Sequence, residues 1–460
     1  MGKVDFTDSE LVVFKNSQEI KARGTLLKLA QNHIVFEVYN PYLIVQLSEV
    51  LKELIITRAE KQIYNGKAVV TNIVNTGIVL IVSATLSDLY WKNTVDVRSE
   101  KDIQSEINLL IERFEETEKI NPNFRASVLS IRSFLSDVRN WLEKLEPALE
   151  ISGINVDTIF IKKNFDILFR RMAPLFKAFE DAFSAASDDK LNFYKNFTQS
   201  HLHHFVMSSP FPYRVYSKPL GYAGDYEMMK MIQRENAEGS SLYSKFINVF
   251  FTNQPIPISV KNRTKTLVKL IEDSVRKAET KGQDFYLLSI GCGPALEIKE
   301  FFDKNQNIKT KCHFKLLDFN QETLNFAVNQ SNLAKGSLPC EINGELNSVH
   351  ELLKRSVGKK GEESKYDLIY CSGLFDYLSN RVCAKLIKLF YSMLKPNGKV
   401  LVTNMHINNP DQYMMELLLD WYLIYRDEND MKNLAPDFGE QSLYTDSTGV
   451  NLCLEITKND

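Results

Sequence analysis

Hydrophobic and polar residues alternate in short runs between residues 10 and 91, a pattern that is typical of half-buried β-strands. The clearest runs cover residues 24–29, 33–39, 54–57, 67–72 and 78–83. Asn65-Gly66 stands between two of these runs and is the strongest hairpin signal in the chain. The pattern predicts a small antiparallel β-barrel or sandwich.

Apolar residues recur at spacings of three and four between residues 100 and 195. Ile103, Ile107, Leu110 and Phe114 follow this helical spacing, and so do the apolar residues between 165 and 172. Turn-forming residues at 121–123 and 152–153 interrupt the segment. We therefore predict at least three helices in this region.

Strand and helix patterns alternate from residue 284 onward, with strand candidates at residues 285–290, 313–319, 338–342, 366–371 and 399–404. This alternation predicts right-handed βαβ units and ligands at the carboxyl ends of the strands. Residues 441–457 predict an antiparallel hairpin on the same sheet. The predicted fold class is α/β, with a doubly wound, mainly parallel seven-stranded sheet at residues 246–460. A β-barrel domain at 1–98 and a helical segment at 99–245 precede it.

The composition narrows the class of partner and the compartment. The 460 residues carry a formal net charge of −2, so no overall attraction to nucleic acid or to an anionic membrane is expected. The six cysteines contain no CxxC pair, which favours buried free thiols in a reducing compartment. No apolar stretch approaches the length of a membrane span, and the N-terminus lacks the apolar region of a signal peptide. We expect a cytoplasmic protein without stable membrane insertion.

The most informative segment is a strand that leads into Gly291-Cys292-Gly293 and then into a helix. Glycines at these positions let the backbone approach a ligand, and Pro294 suits the first position of the helix. Position 296 is leucine, so the third glycine of a dinucleotide-binding motif is absent, and no phosphate-binding Lys-Ser/Thr pair follows. Asp318 ends the next predicted strand, where its carboxylate can accept hydrogen bonds from the two ribose hydroxyls of a nucleoside.

Four segments in this order resemble the class I S-adenosylmethionine-dependent methyltransferases: IGCGPA, LLDF, the strand YDLIYC with the residues after it, and LKPNGKVLVTN. The resemblance implies S-adenosylmethionine as the cofactor. It also implies a cofactor-binding set, which is Gly291, Cys292, Gly293, Pro294, Asp318, Phe319, Ser348, Val349, Ser372 and Gly373. In that set the methionine part of the cofactor would lie along the glycines, Asp318 would hold the ribose and Phe319 would flank the adenine.

The adenine edge has further candidates in Asn347, Ser348 and Val349, which follow the third predicted strand. Ordinary core packing is the alternative for Phe319 and Val349. His201, His203 and His204 lack a cysteine or acidic ligand at a suitable spacing, so no metal site is predicted.

Residues 218–229, KPLGYAGDYEMM, combine glycines, tyrosines and acids, which favours a lid or a pocket wall. The alternative is a capped turn, with Asp225 as the N-cap of a helix. Tyr222 and Tyr226 are candidate hydrogen-bond donors to an acceptor substrate.

A second group of polar residues lies at the end of the fifth predicted strand, where Asn404 and His406 stand. A helix is predicted after it, carrying Glu416, Asp420 and Arg426. These three side chains can also form an ion-pair ladder on the surface. The candidate catalytic residues are His406, Tyr222, Asp225, Tyr226 and Arg426. A carboxylate acceptor needs donors from this set, whereas an amine or hydroxyl acceptor needs a base such as His406 or Asp225.

The GYAGDYEMM stretch, the Asn-x-His segment and the WYLIYR run resemble bacterial extracellular-factor 3-hydroxypalmitic acid methyl ester synthases. The FEVYNP and LSEVL runs are similar to the PilZ-like domain that precedes some of them, although an RxxxR motif for cyclic di-GMP is absent. The resemblance implies O-methylation of the carboxylate of a hydroxy fatty acid or a similar small molecule. N-methyl or aminopropyl transfer to an amine or polyamine and a non-catalytic regulatory module remain alternatives, and Asp225, Glu227 and Asp376 keep aminopropyl transfer open. The N-terminal β or helical region is a candidate homodimer surface.

Overall fold

The computed structural model describes residues 11–29, 33–38, 45–58, 61–75, 80–87, 103–104, 107–108, 111, 120–184, 191–356, 364–435 and 437–459. The chain divides into two compact units. The first unit contains Met1–Ala223, Asn236–Phe251 and Pro410–Tyr422. The second contains Gly224–Glu235, Thr252–Asn409 and Leu423–Asp460. This partition differs from the three predicted regions, because the barrel and most of the helical segment share one unit, while Gly224–Glu235 belongs to the other.

The N-terminal strands form a closed barrel in the order β1-β2-β3-β6-β5-β4. Their bounds are β1 Leu11–Lys15, β2 Lys21–Leu29, β3 His33–Val38, β4 Val50–Arg58, β5 Lys61–Asn75 and β6 Leu80–Leu86. Alternate residues point inward, and the rings of Phe14 and Phe36 meet edge to face with centroids 5.3 Å apart inside the barrel. The predicted antiparallel barrel is confirmed. Tyr39 and residues 78–79, at the ends of two predicted runs, lie outside the described residues.

The hairpin predicted at Asn65-Gly66 is wrong. These residues lie inside β5, where Asn65 pairs with Ile55 and Gly66 pairs with Leu54. The pairing of β4 with β5 begins at Arg58 and Lys61, so the chain reverses before Asn65 is reached. A bulge in β4 lies between Leu51 and Leu54 and includes Glu53, whose φ is +48°. Gly66, which pairs with Leu54, therefore stands next to a bulge in the partner strand, which is another place where glycine is common in strands.

The described helices are α1 Pro122–Ile151, α2 Thr158–Ser184, α3 Leu191–Val206, α4 Pro210–Ser217, α5 Tyr226–Arg234, α6 Leu242–Thr252, α7 Pro255–Thr280, α8 Leu296–Lys304, α9 Gln321–Lys335, α10 Val349–Ser356, α11 Asn380–Met393 and α12 Glu428–Asn433. The predicted break at 152–153 separates α1 from α2, and the turn at 121–123 caps α1 through Asn121. Phe124 of α1 packs against Phe179 of α2 and Tyr194 of α3, which joins the three helices. Leu110 and Phe114 lie outside the described residues.

The second unit contains a seven-stranded sheet in the order β12-β13-β11-β10-β7-β8-β9. The strands are β7 Phe285–Ile290, β8 Cys312–Asp318, β9 Cys340–Leu346, β10 Tyr366–Cys371, β11 Leu394–Met405, β12 Glu440–Thr445 and β13 Asn451–Thr457. Strands β7 to β11 run parallel, whereas β13 is antiparallel to both β11 and β12. The sheet is therefore mixed. The predicted bounds of β7 and β10 are confirmed, and the third strand begins later than predicted.

Both faces of the central strands of the sheet are buried, because side chains that alternate along these strands enter two separate cores. Leu288 of β7 faces a core with Leu386 of α11. Its neighbour Leu287 faces the other core, with Ile271 of α7 and Ile298 of α8. Burial on both faces explains why the strands read as continuous apolar runs.

Two expectations drawn from the whole sequence concern the cysteines and the membrane. All six cysteines are buried and free, as predicted. Among the described helices, none combines the length and the apolar character that crossing a bilayer requires.

Candidate functional site

A glycine loop connects the end of β7 to α8. Gly291 and Gly293 have φ of +62° and +53°, a left-handed conformation that favours glycine. A Cβ built on Gly293 would meet no described atom within 4 Å. The Cys292 N–H donates to Leu317 O at 3.0 Å and fixes the loop to the neighbouring strand β8. The loop therefore presents bare backbone to open space beside the ends of two strands.

Pro294 does not take the first position of the helix. The helix begins at Leu296, and its N-cap is Ala295, with a left-handed φ of +49°. Pro294 therefore lies one residue before the cap, within the glycine loop. The prediction that its missing N–H serves the first turn of α8 is wrong.

Asp318 ends β8 and joins that strand to the glycine loop. Its Oδ2 accepts a hydrogen bond from the Gly293 N–H at 3.1 Å, and its Oδ1 accepts one from the Asn320 N–H at 2.9 Å. Burial raises the pKa of Asp318 to about 6, against the lowering effect of these N–H donors. Each carboxylate oxygen keeps a further lone pair. The group can therefore accept hydrogen bonds from a ligand near neutral pH, where it is mostly ionised.

The end of β9 carries the candidates for the adenine edge. The Asn347 N–H donates to Asp318 O at 3.0 Å, and its Nδ2 donates to Glu345 at 2.9 Å. The Oδ1 of Asn347 is buried and has no hydrogen-bond partner among the described residues. Ser348 Oγ accepts from the Glu351 N–H at the start of α10. Val349 belongs to the core, as its alternative interpretation expected, whereas Phe319 is only half-buried.

The end of β10 lies next to the glycine loop, because β10 pairs with β7. Ser372 Oγ is buried there without a hydrogen-bond partner among the described residues. The Gly373 N–H donates to Thr403 Oγ1 at 3.1 Å. A buried polar atom without a partner is costly, so Ser372 and Asn347 both mark places where a ligand can supply the missing bond.

Arg263 of α7 is a candidate that the sequence analysis missed. A Cβ built on Gly373 would lie 2.8 Å from its Nη1, so the guanidinium packs directly on Gly373. Its charge lowers the pKa values of the buried Asp376 and Glu297, although burial raises both overall. No described residue accepts a hydrogen bond from the guanidinium. Arg263 lies on α7, before the first strand of the seven-stranded sheet, and no sequence motif marks it. Only the packing of the side chain on Gly373 shows that it lies at the ends of the strands.

Arg426 is a structural residue in this unit. It is 1% exposed, and its Nε donates to Asn380 at 2.9 Å. Its Nη1 donates to Phe375 O and to Asn404 Oδ1, and its Nη2 donates to Leu378 O. These bonds hold the end of β11, the turn after β10 and the start of α11 together. The predicted role of Arg426 as a donor to substrate is therefore not supported, because four of its N–H groups already serve the protein.

His406 follows β11 and is buried. Its Nδ1 accepts a hydrogen bond from the Asn408 N–H at 3.0 Å, which assigns the proton to Nε2. Nε2 lies 3.3 Å from the carboxylate of Glu428. Both ring nitrogens are thus engaged within the chain. These contacts favour the structural interpretation of His406 over a general base.

The prediction of a helix that carries Asp420 and Arg426 is wrong. Met414–Leu418 forms one short π-helical turn, and Asp420 has a left-handed φ of +53° that ends it. Asp420 and Arg426 are buried, so the alternative of a surface ion-pair ladder is also wrong.

The GYAGDYEMM stretch is divided between the two units, and Tyr222 belongs to the first. Asp225 is the N-cap of α5, since its Oδ1 accepts from the Met228 N–H at 2.8 Å, and the capped-turn alternative is confirmed. The hydroxyl of Tyr226 donates to Glu322 of α9 at 2.6 Å, and its ring packs on Phe326. The part of this stretch in the second unit therefore packs against the helix that follows Asp318.

Comparisons with known proteins give structural similarity only. No protein-family model and no curated protein matches the chain. A solved "possible exported protein" from Bordetella parapertussis is 13% identical, with a TM-score of 0.41 over 74% of this chain and 96% of that one. Magnesium protoporphyrin IX methyltransferase from Synechocystis PCC 6803, with bound SAH, is 9% identical, with a TM-score of 0.32 over 44% of this chain and 87% of that one.

The N-methyltransferase NodS from Bradyrhizobium japonicum WM9, in complex with S-adenosyl-L-homocysteine, is 14% identical. Its TM-score is 0.31, over 45% of this chain and 90% of that one. At such identities and scores, none of these similarities establishes a reaction for this chain.

Proposed function

We propose that this chain is an S-adenosylmethionine-dependent methyltransferase. The observation that carries the proposal is the hydrogen bond between Asp318 and the Gly293 N–H, which brings the strand-end acid and the glycine loop together. The order of the strands adds support, because the chain runs from β7 through β8 to β9 on one side and returns to β10 on the other. Sheets of this kind bind ligands where the order reverses, at the carboxyl ends of the strands.

The residues present fit this cofactor. Open space beyond Gly293 leaves room for the methionine part to pass the backbone. Asp318 would accept from the ribose hydroxyls, and the partnerless Oδ1 of Asn347 would accept from the amino group of adenine. Phe319, Ser348 and the segment Ser372-Gly373 complete the proposed set. The guanidinium of Arg263, which has no described acceptor, would pair with the carboxylate of the methionine part.

The cofactor, when bound, would supply a methyl group on a positively charged sulfur. The part left to the chain is to bind it, to orient an acceptor in line with that methyl group and to exclude water. Much of the rate enhancement of such a displacement comes from this alignment.

We further propose that the acceptor is the carboxylate of a hydroxy fatty acid or a similar small molecule. The candidate bases are committed elsewhere: His406 uses both ring nitrogens, and Asp225 caps α5. An acceptor that is already anionic at neutral pH, as a carboxylate is, needs no base. The donor roles of Tyr222 and Tyr226, the cytoplasmic location and a homodimer through the N-terminal regions stay predictions.

Aminopropyl transfer to a polyamine would need free carboxylates along the acceptor site. Asp225 caps a helix, Glu227 pairs with Lys230 at 2.6 Å, and Asp376 is buried and accepts from the Met405 N–H. The three acids that kept this alternative open are therefore engaged, and the structure does not favour it.

The test is incubation of the purified chain with S-adenosylmethionine labelled at the methyl group and a panel of hydroxy fatty acids, amines and polyamines. Mass spectrometry should find the label in a methyl ester, together with S-adenosylhomocysteine, and the Asp318→Asn variant should be strongly impaired. Label in an amine would overturn the proposed acceptor. A folded chain that fails to bind S-adenosylmethionine at millimolar concentration would overturn the proposed function itself.

A further inference from the structure

The first unit buries two lysines beside a single aspartate. Lys195 of α3 is 1% exposed and Lys218, which caps the end of α4, is 3% exposed. The Nζ of Lys195 lies 2.6 Å from Asp420 Oδ1, and the same oxygen accepts from Gln199 Nε2 at 3.0 Å. Tyr422 is also buried. We call these four residues, Lys195, Lys218, Asp420 and Tyr422, the buried cation cluster.

Among the described residues, Lys218 has no close anionic partner of its own. Its Nζ reaches two backbone carbonyls, those of Leu419 and Tyr216, each at 3.4 Å, which is beyond the usual length of such a bond. Burial lowers the pKa of Lys218 to about 8, with Asp420 opposing and Lys195 reinforcing the shift. The ammonium group is therefore mostly charged at neutral pH, although it is fully removed from water.

The described charges around the cluster leave one positive charge without a counterion. Burial lowers the pKa of His203, whose Nε2 contacts Leu418 O at 2.8 Å, and the ring is neutral at pH 7. Burial also lowers the pKa of His33 and raises that of Tyr216 to about 12, so both are neutral. Glu416 acts on Tyr422 but is half-buried and accepts from Gln412 at 3.0 Å. Two buried ammonium groups thus share one buried carboxylate.

A second observation points to a missing ligand. The hydroxyl of Tyr422 is buried and has no hydrogen-bond partner among the described residues. Its ring centroid is 5.9 Å from Lys195 Nζ, which places it within the cluster. The Tyr422 backbone is fixed from both sides by Ser48, whose hydroxyl donates to its carbonyl and accepts from its N–H. A rigidly held, buried phenol without a partner lacks an acceptor.

We propose that the buried cation cluster binds the carboxylate group of a small organic monoanion. One negative charge completes the balance of two lysines and one aspartate, whereas a dianion such as phosphate would introduce a new excess of the opposite sign. Two carboxylate oxygens match the two kinds of donor available, the ammonium of Lys218 and the hydroxyl of Tyr422. The proposal goes beyond methyl transfer and uses none of the residues assigned to the cofactor.

The experiment is isothermal titration calorimetry of the full chain at pH 7 and constant ionic strength. Sodium hexanoate is the probe, 1-hexanol is its uncharged analogue and sodium chloride is the inorganic anion. Hexanoate should bind more tightly than either. Lys218→Met should weaken its binding by about thirtyfold or more, because a buried charge partner is lost. Tyr422→Phe, which keeps the ring, should weaken it by about fivefold.

Lys177→Met is the matched control, since Lys177 pairs with Asp181 on the exposed surface of α2. It should bind hexanoate as the parent chain does. Absence of hexanoate binding to the parent chain would overturn the proposal, and so would equal binding of hexanol or chloride, or equal affinity of the Lys218→Met and control variants. If Lys218→Met fails to fold, unchanged binding by Tyr422→Phe overturns it. Titration of the same variants with S-adenosylmethionine tests the proposed function separately.

Discussion

Asp318 shows how one buried carboxylate can link ligand affinity to pH. Its pKa is raised to about 6 in the folded chain from its ordinary value of 3.8, chiefly by burial. A raised pKa means that the folded state holds its proton to higher pH than the unfolded chain does, so this group lowers stability as pH rises from 3.8 through 6. Ribose hydroxyls that donate hydrogen bonds to the ionised carboxylate would instead favour its charged form.

The first prediction compares Asp318→Asn with the parent chain between pH 4.5 and pH 7.5. The free energy of unfolding of the variant, relative to the parent, should rise over this interval by about 2 kcal/mol, because the variant carries no buried charge. Affinity of the parent for S-adenosylmethionine should fall below pH 6, and the variant should bind weakly at every pH. Calorimetry and urea unfolding measure the two quantities. A parent affinity that is independent of pH would contradict the role of Asp318.

The second prediction concerns Gly293→Ala. Gly293 and Gly449 share a left-handed φ and open space at the Cβ position, so alanine at either residue should cost about 1 kcal/mol of stability. Only Gly293→Ala puts a methyl group where the methionine part should pass. Its affinity for S-adenosylmethionine should drop well below that of Gly449→Ala, and equal affinities in calorimetry would argue against the glycine loop as the site.

The third prediction tests Arg263, which no sequence motif marks. Arg263→Gln should lower the affinity for S-adenosylmethionine by about tenfold or more, because a charge-assisted pair with the carboxylate would be lost. Lys265→Gln, on the exposed side of the same helix, is the control and should bind normally. If both variants bind alike, the guanidinium only packs on Gly373.

At the scale of elements, the Arg426 network joins three pieces of the second unit. Arg426→Met should lower the free energy of unfolding by about 3–5 kcal/mol, since the carbonyls of Phe375 and Leu378 and the side chain of Asn404 lose their donor inside the protein. Arg276→Met, on the exposed surface of α7, should change it little. Urea unfolding followed by circular dichroism measures both. A stable Arg426→Met variant with impaired turnover would instead restore the role of substrate donor.

The elements that sequence could predict are those whose signal is local. Strands β7 and β10 are continuous apolar runs buried on both faces, so their bounds follow from composition alone. The hairpin prediction at Asn65-Gly66 failed because the turn propensity of this dipeptide was overridden by the pairing of β5, the strand that contains it, with β4. Arg263 failed to stand out because its position depends on how α7 packs. The contacts of His406 with its neighbours are equally invisible in sequence, whereas the N-cap role of Asp225 is one that the sequence does offer.

At the scale of the whole molecule, the sequence suggested three consecutive regions. The structure has two units, and each of them consists of three separate segments of the chain. Residues Pro410–Tyr422 leave the second unit after β11 and belong to the first, where Asp420 meets Lys195. Such an excursion carries no compositional signal, since the segment is as apolar as the strands around it. The two sites proposed for this chain, one in each unit, can therefore be tested independently.

The measurement that tests the central claim most directly is a crystal structure of the full chain grown with saturating S-adenosylhomocysteine. The account predicts the nucleoside across the ends of β7 and β8, with both ribose hydroxyls within hydrogen-bond distance of the Asp318 carboxylate and the adenine amino group on Asn347 Oδ1. A nucleoside bound elsewhere, or Asp318 still bonded only to the Gly293 and Asn320 N–H groups, would contradict it.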